Sequence, residues 1–442
     1  MHRVLIISPH FPPVNAPDHQ RVRMALPYLR ELGWDATVLA IEPNEIDGLP
    51  RDALLEQTIP ADVEIVRTRA VPLAIAGRLG MRTLGLRAYP NLARAGARLL
   101  RIRKFDLVFF STTQFAVMAL GPSWLARFGV PYVLDFQDPW VSDYHARRDP
   151  AAAPGGRWKY AFSQWIARRL EPKTVRACAH ALCVSPAYPE MLRARYQDVE
   201  PTRFSVLPFA VAEQDFETAR GAEVRQNIFD PSDGRQHWVY VGRGQADMAQ
   251  ALRGFFLALA RAIEVDPPLR QRVAVHFVGT SYASGDRAAK TVEPIAHEFG
   301  LADCVTEHPH RIPYFTALRC LLDADALIFP GSDDPSYTAS KLMPCLFAQK
   351  PLLAIFHEAS PVVTALRSLD AGTVVTFREG TPTEELGGRI LDQWFRAGPE
   401  AVGILARDSF APYTAEAMTR TLVGVFDQAL RQHDNKFAAK PN

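Results

Sequence analysis

Three short stretches hold side chains whose types and spacing suit chemistry on an anionic, hydroxyl-bearing ligand. The first is ALIFPGSDDPSYTASKLMPCLFAQKPLLAIF, residues 326–356, where an apolar strand runs into a Gly-Ser-Asp-Asp-Pro loop carrying Ser332, Asp333 and Asp334. A helix is expected to begin near Thr338–Ser340. Ser340 and Lys341 at its start would then add a hydroxyl and a cation to free backbone NH groups, a combination suited to phosphate. The alternative is that Ser340 only caps the helix and Lys341 is solvated. The second stretch is YVGRG, 240–244, where Gly242 ends a strand and Arg243 follows, so that NH groups and a guanidinium can meet a diphosphate. Gly279, ending HFVG, would let the chain approach a ligand closely. The third is VLDFQDPW, 133–140, which puts Asp135 and Asp138 at a strand end, with Trp140, Tyr144 and His145 following. Carboxylates there are expected to face the ligand crevice, where one could orient or deprotonate a hydroxyl. Alternatively, one of them caps the next helix.

The loop SPHFPPVNAPDHQRVR after the first strand adds His10, His19 and Arg21 as polar candidates, against a reading of that loop as merely solvated. Asp323 and Asp325, in the DAD before residue 326, look like an acidic metal motif but read better as structural caps. No metal and no cofactor is expected.

These stretches need a scaffold that brings loops together at strand ends. VLIIS at 4–8 is a short apolar strand between polar punctuation, consistent with burial on both faces. Val22, Ala25, Leu26, Leu29 and Leu32 then form one helical stripe, Gly33 stops it, and ATVLAI at 36–41 is the next strand. A helix joining two such strands implies a parallel sheet. The alternation continues through strands near 106–111, 131–136, 180–185 and 204–209, with a long helix over 158–179. After a polar connector at about 212–235 it restarts, with strands near 237–242, 273–279, 304–308, 326–331 and 351–356. The last helical stripe is Met418, Leu422, Val425, Phe426 and Leu430. The expected fold is α/β, built from two Rossmann-like halves.

Composition agrees. A chain of 442 residues with 48% hydrophobic and 22% charged residues is an ordinary folded protein of two or three domains. Five cysteines, without a CxxC pair, exclude a disulfide scaffold or a zinc ribbon and point to a reducing compartment. The net charge of +2 hides an asymmetry: residues 1–205 hold 27 basic against 19 acidic residues, and the rest 23 against 29. Between Ile65 and Phe105 there are ten basic residues and no acidic ones. Arg94, Arg98 and Arg101 recur there at helical spacing, so the segment could lie on an anionic membrane or be a solvated face. Nothing points to nucleic acid. Met1–Ile7 is too short an apolar run for a signal peptide, and 107–126 is too interrupted to span a membrane. The expected location is cytoplasmic, with the inner face of the membrane as a peripheral site.

Taken together, VLIISPHFPP, YVLDFQDPW, SVLPFAVAEQDF, YVGRG, RIPY–LLDADALIFPG, SKLMPCLFAQKPLLA and the terminal YTAEAMTRTL resemble a GT-B glycosyltransferase of family 4, in outline over nearly the whole chain. The resemblance implies two Rossmann-like domains facing a cleft: an acceptor-side domain at 1–211, a nucleotide-sugar domain at 212–410, and a helix and tail at 411–442 crossing back to the first. It implies a metal-independent, retaining transferase moving a sugar from a UDP- or GDP-type donor to a hydroxyl acceptor on a glycan, a lipid-linked carrier or a small molecule. Arg243 and Lys341 would hold the donor diphosphate, Arg311 would line the same cleft, and Asp138 would lie beside the acceptor, with His10, Arg21 and His145 on that side. The chain departs from the pattern in three places. The double glycine after the first strand is absent, Ala249 replaces a lysine, and Ser336 and Pro344 replace the usual glutamate pair. Asp333, Asp334 or Glu358 is the expected substitute for that lost carboxylate. The departures leave two alternatives: a degenerate GT-B subunit that binds without turnover, and a nucleotide-sugar 2-epimerase.

Overall fold

The computed structural model describes residues 1–78, 81–142, 156–283, 285–399 and 405–438. The chain divides into two compact units. The N-terminal unit holds 1–47, 53–210 and 415–442, and the C-terminal unit 48–52 and 211–414.

The N-terminal unit is a seven-stranded, all-parallel sheet. Its strands are β1 (His2–Ile7), β2 (Trp34–Ile41), β3 (Glu64–Thr68), β4 (Leu107–Ser111), β5 (Tyr132–Phe136), β6 (His180–Cys183) and β7 (Phe204–Val206). They lie in the order β3-β2-β1-β4-β5-β6-β7. Leu107–Ser111 and Tyr132–Phe136 are buried at every position, as expected where helices cover both faces of a parallel sheet. The C-terminal helix Ala415–Ala438 belongs to this unit. Its Phe426 ring meets Trp34 and Phe109, each at 5.1 Å between centroids, and Asp427 accepts a hydrogen bond from the Trp34 indole at 3.1 Å. Each fully buried ring contributes about 1.5–3 kcal/mol relative to exposure, so a short apolar stripe is enough to hold this helix.

The C-terminal unit repeats the plan with six parallel strands: β8 (Gln236–Val241), β9 (Val273–Val278), β10 (Val305–His308), β11 (Ala326–Pro330), β12 (Leu352–His357) and β13 (Thr373–Phe377). Their order is β10-β9-β8-β11-β12-β13. In both sheets the strand order reverses beside the first strand, between β1 and β4 and between β8 and β11. Loops leaving the carboxyl ends of two such strands diverge to opposite faces and open a crevice, which is where ligands bind in doubly wound sheets.

Two strands fell outside the sequence expectation, β3 and β13. Both are edge strands; β13 alternates buried and half-buried residues, whereas no residue of β3 is fully buried, and β3 opens the basic 65–105 stretch. That stretch is also more structural than its charge suggests. Its helix Leu84–Ile102 buries Arg87, Leu92, Leu99 and Leu100, while Arg94, Arg98 and Arg101 stay exposed.

Candidate functional site

In the C-terminal unit the crevice between β8 and β11 is lined by the loop after each strand. Arg243, two residues beyond β8, forms a two-pronged ion pair with Asp247, Nη1 to Oδ1 at 2.7 Å and Nη2 to Oδ2 at 2.6 Å. Asp247 also accepts a hydrogen bond from the Ser332 hydroxyl at 2.5 Å, while its carbonyl receives the Asp333 NH at 2.9 Å. The two loops are therefore joined through one carboxylate. Burial opposes ionisation of Asp247, but the Arg243 hydrogen bonds outweigh it and hold the carboxyl below its ordinary range. The Arg243 guanidinium lies over the Tyr337 ring, 4.7 Å from its centroid, which fixes its plane. Asp247 and Tyr337 were missed by the sequence reading. The four-residue spacing of Arg243 and Asp247 was the available signal for the first, and nothing local marks the second.

Close approach at the strand ends is made possible by glycine. A Cβ on Gly242 would lie 2.3 Å from the Tyr240 hydroxyl oxygen, and one on Gly331 would lie 2.3 Å from the Phe356 ring. Gly279 has a left-handed φ of +74°, and its nearest neighbour is the Arg311 backbone, 3.8 Å from where a Cβ would sit. Arg311 itself stacks on Tyr282 at 4.5 Å.

Lys341 is the chemically distinctive group. It is open to solvent, and among the described residues neither it nor Arg311 has a carboxylate partner. Surrounding protein, with the Arg311 and Arg243 cations, pushes its ammonium down to about 8. For a side chain that still meets water, the repulsion from two arginines is the part that a bound anion would reverse. Arg243, Arg311 and Lys341 thus share one neighbourhood, and only Arg243 is neutralised, by Asp247.

Several expectations are corrected here. The helix after the Gly-Ser-Asp-Asp-Pro loop starts at Leu342, not near Thr338–Ser340, and runs only to Phe347. Its N-cap position is Lys341, and Ser340 makes no capping bond, so a helix terminus contributes little and the side-chain charges carry the site. Pro344 sits at the third helical position, within the tolerated first turn. Asp334 is engaged locally, accepting the Ser336 NH at 2.8 Å and its hydroxyl at 2.7 Å. Asp333 is half-buried in the same loop, with its NH held by the Asp247 carbonyl. Glu358 is ion-paired with Arg378 at 2.6 Å, so it is not a carboxylate held ready for a ligand. Asp323 pairs with Arg319 at 2.8 Å and Asp325 accepts the His237 NH at 2.7 Å, both at the amino end of the sheet and away from the crevice. Among the described residues no group of three His, Cys, Asp or Glu side chains could hold a metal ion.

In the N-terminal unit the corresponding crevice lies between β1 and β4. His10 Nδ1 meets Asp18 Oδ1 at 2.9 Å, and Asp18 also accepts from the Thr112 hydroxyl at 3.0 Å and the Thr113 NH at 3.1 Å. Burial works against the Asp18 anion, yet His10 and these donors hold it well below the usual carboxylate range. His19 is fully buried, and burial with Arg23 nearby pushes its imidazole down to about 3, so it is neutral. Arg21 is a correction. Its side chain is wholly buried, with Nε 2.9 Å from Asp135 Oδ2 and Nη2 2.6 Å from the Leu207 carbonyl, so it braces β5 against the end of β7 and cannot touch an acceptor. Asp135, likewise expected at the crevice, is buried, and the same oxygen takes the Ser111 hydroxyl at 2.7 Å and the Gln137 amide at 3.0 Å. Asp138, by contrast, is exposed just past β5. His145 lies outside the described residues.

Residues 19–210 match the family model described as a glycosyl transferase 4-like domain. That match lies almost wholly within the N-terminal unit and covers less than half of the chain. No curated protein matches the chain. Solved structures show the GT-B fold. A glycosyltransferase from Rickettsia africae is 12% identical at a TM-score of 0.59, over 97% of this chain and 98% of that one. HepE of Anabaena, solved in complex with UDP-glucose, is 15% identical at 0.56, over 100% of both chains. The trehalose-6-phosphate synthase OtsA is 11% identical at 0.60, over 96% and 99%. The chain thus shares the GT-B fold of these glycosyltransferases, with two Rossmann-like units, and its residues 19–210 resemble the glycosyl transferase 4-like family. No helix among the described residues is long and apolar enough to cross a membrane.

Proposed function

We propose that the protein transfers a sugar from a nucleotide-sugar donor to an acceptor hydroxyl, with retention of configuration and without a metal ion. The observation that carries this reading is the gathering of Arg243, Arg311 and Lys341 at the β8/β11 crevice with Asp247 as the one carboxylate bonded to any of them among the described residues. Such a site is short of negative charge, and a diphosphate supplies it. Arg243, oriented by Asp247 and Tyr337, and Lys341 would hold the diphosphate and stabilise it as it leaves. Arg311 and the backbone at Gly279 would flank the donor. The UDP-glucose held by HepE is a ligand of the class proposed.

In the reaction the bond from the anomeric carbon to the diphosphate oxygen breaks and a bond to the acceptor oxygen forms on the same face. The hydroxyl proton passes to the donor phosphate oxygen as the diphosphate leaves. A peripheral contact of the basic 65–105 segment with an anionic membrane belongs to the same reading, with Arg94, Arg98 and Arg101 exposed on its long helix.

A second reading, a donor-binding subunit without turnover, is favoured by one observation. Ser336 and Pro344 stand in place of glutamates, while the substitutes Asp334 and Glu358 already have partners. Thermal-shift measurements with UDP-, GDP- and dTDP-sugars, with and without magnesium, test the donor site. Product analysis with hydroxyl acceptors then tests transfer. Stabilisation by one nucleotide class and a product of retained anomeric configuration are the expected results. Stabilisation without transfer or hydrolysis supports the second reading, an epimerised nucleotide sugar formed without acceptor indicates a 2-epimerase, and no stabilisation at all refutes the site.

A further inference from the structure

The helix Arg157–Ala177 carries a surface that the transfer chemistry does not use. Its inner side is formed by Ala167, Glu171, Thr174 and Val175, each at most 2% exposed. Glu171, the helix's only acid, is consumed there, bonded to Arg195 and to the Tyr196 hydroxyl. At about 100° per residue, Phe162, Trp165, Arg169, Lys173 and Arg176 fall within about 80° of one another on the opposite side. Phe162 and Trp165 are each 50% exposed and stack at 5.9 Å between ring centroids. The Arg169 guanidinium covers the Trp165 ring at 4.0 Å.

Two large aromatic rings left in water are costly, since burying each is worth about 1.5–3 kcal/mol. They sit at the head of a stripe whose other members are basic. Arg176 is paired with Asp198, but Lys159, Arg169 and Lys173 have no carboxylate partner among the described residues. A second copy of this chain is a poor cover for such a face, because a symmetric pairing would set like charges against each other. An apolar protein groove would leave the cations unmatched. An anionic lipid surface satisfies both parts: aromatic rings settle at the headgroup boundary, while lysine and arginine stems reach lipid phosphates. The helix also packs on the turn Phe115–Ala119, on which the basic helix Leu84–Ile102 packs too, so Arg94, Arg98 and Arg101 belong to the same helical layer.

We propose that helix Arg157–Ala177 docks the N-terminal unit onto an anionic bilayer, with Phe162 and Trp165 entering the interface and Arg169 and Lys173 meeting lipid phosphates. The anchor therefore lies outside the 65–105 segment, which adds charge but offers no aromatic pair. None of these residues belongs to the candidate donor or acceptor groups, so loss of vesicle binding and loss of transfer are separable results.

The test is co-sedimentation of the full chain with vesicles of phosphatidylglycerol and phosphatidylcholine, against phosphatidylcholine alone. Binding is expected only with the anionic lipid and should fall as salt rises. Phe162→Ala with Trp165→Ala should weaken it at least tenfold, and Arg169→Glu with Lys173→Glu should abolish it, with the far-UV thermal melt unchanged in both. Trp165→Phe should keep binding but lose the blue shift of tryptophan fluorescence on vesicle addition. The proposal is overturned if anionic vesicles do not bind the wild type, or if the double alanine variant binds as well as wild type. It is equally overturned if the protein is dimeric in solution and that variant is monomeric.

Discussion

Lys341 offers the sharpest test of the proposed donor site. In the free protein its ammonium titrates at about 8, pushed down by the surrounding protein and by Arg311 and Arg243. Roughly nine-tenths of it is then charged at pH 7 and roughly one-tenth at pH 9. A diphosphate bound against it favours the charged form and raises the pKa, so binding above pH 8 must be accompanied by proton uptake. UDP, whose terminal phosphate ionises near 6, stays largely charged across this window and adds little slope of its own. The dissociation constant of UDP, measured by calorimetry, should therefore rise about tenfold between pH 7 and pH 9, equivalent to about 1.4 kcal/mol. Lys341→Met should bind UDP weakly with a flat profile. Lys341→Arg, charged throughout, should also be flat but should bind well at pH 9.

The sign for stability runs the other way. A lysine whose folded pKa is lowered disfavours the fold while charged, so the unliganded protein should gain stability as pH rises through 8, and Lys341→Met should melt higher than wild type at pH 7. A flat wild-type binding profile refutes the reasoning, and so does a Lys341→Met variant that keeps the wild-type slope.

Arg21→Met should lower stability by about 3–5 kcal/mol in urea denaturation, because it leaves the fully buried Asp135 carboxylate without its cation. UDP affinity of the folded fraction should be unchanged. Gly331→Ala should cost about 1–3 kcal/mol of stability and weaken UDP binding, since the new methyl group would lie 2.3 Å from the Phe356 ring at the floor of the crevice; an unchanged melt and affinity would show that the ring can move aside. Nucleotide binding measured by thermal shift should survive excess chelator, because Arg243, Arg311 and Lys341 supply the positive charge that a divalent ion would otherwise bring.

The alternation of apolar runs with helical stripes determined the α/β class, the parallel sheets and the restart after residue 235. These are period and burial signals, and periodicity is a local property of a chain. Edge strands β3 and β13 escaped because an edge is only partly covered: no residue of β3 is fully buried and only alternate residues of β13 are, so neither forms an apolar run. The candidate residues divide along the same line. That Arg243 and Lys341 lie in loops after strands was legible because strand ends in parallel sheets carry ligand loops, whatever the sequence of those loops. The start of the following helix was misplaced by two to four residues, since nothing local distinguishes Thr338, Ser340 or Leu342 as its first residue. Only the tertiary structure decided which charges were already used. Arg21 and Asp138 look equally available as letters, yet Arg21 is buried 114 positions away from its partner Asp135, and Asp138 is exposed. Glu358 found Arg378, Asp247 bound the loops of β8 and β11 together, and Lys341 was left facing two arginines. Ion pairing between distant residues depends on distances that the fold sets. The sequence by itself therefore places the reactive residue types at the strand ends, while the fold decides which of them keep a free charge.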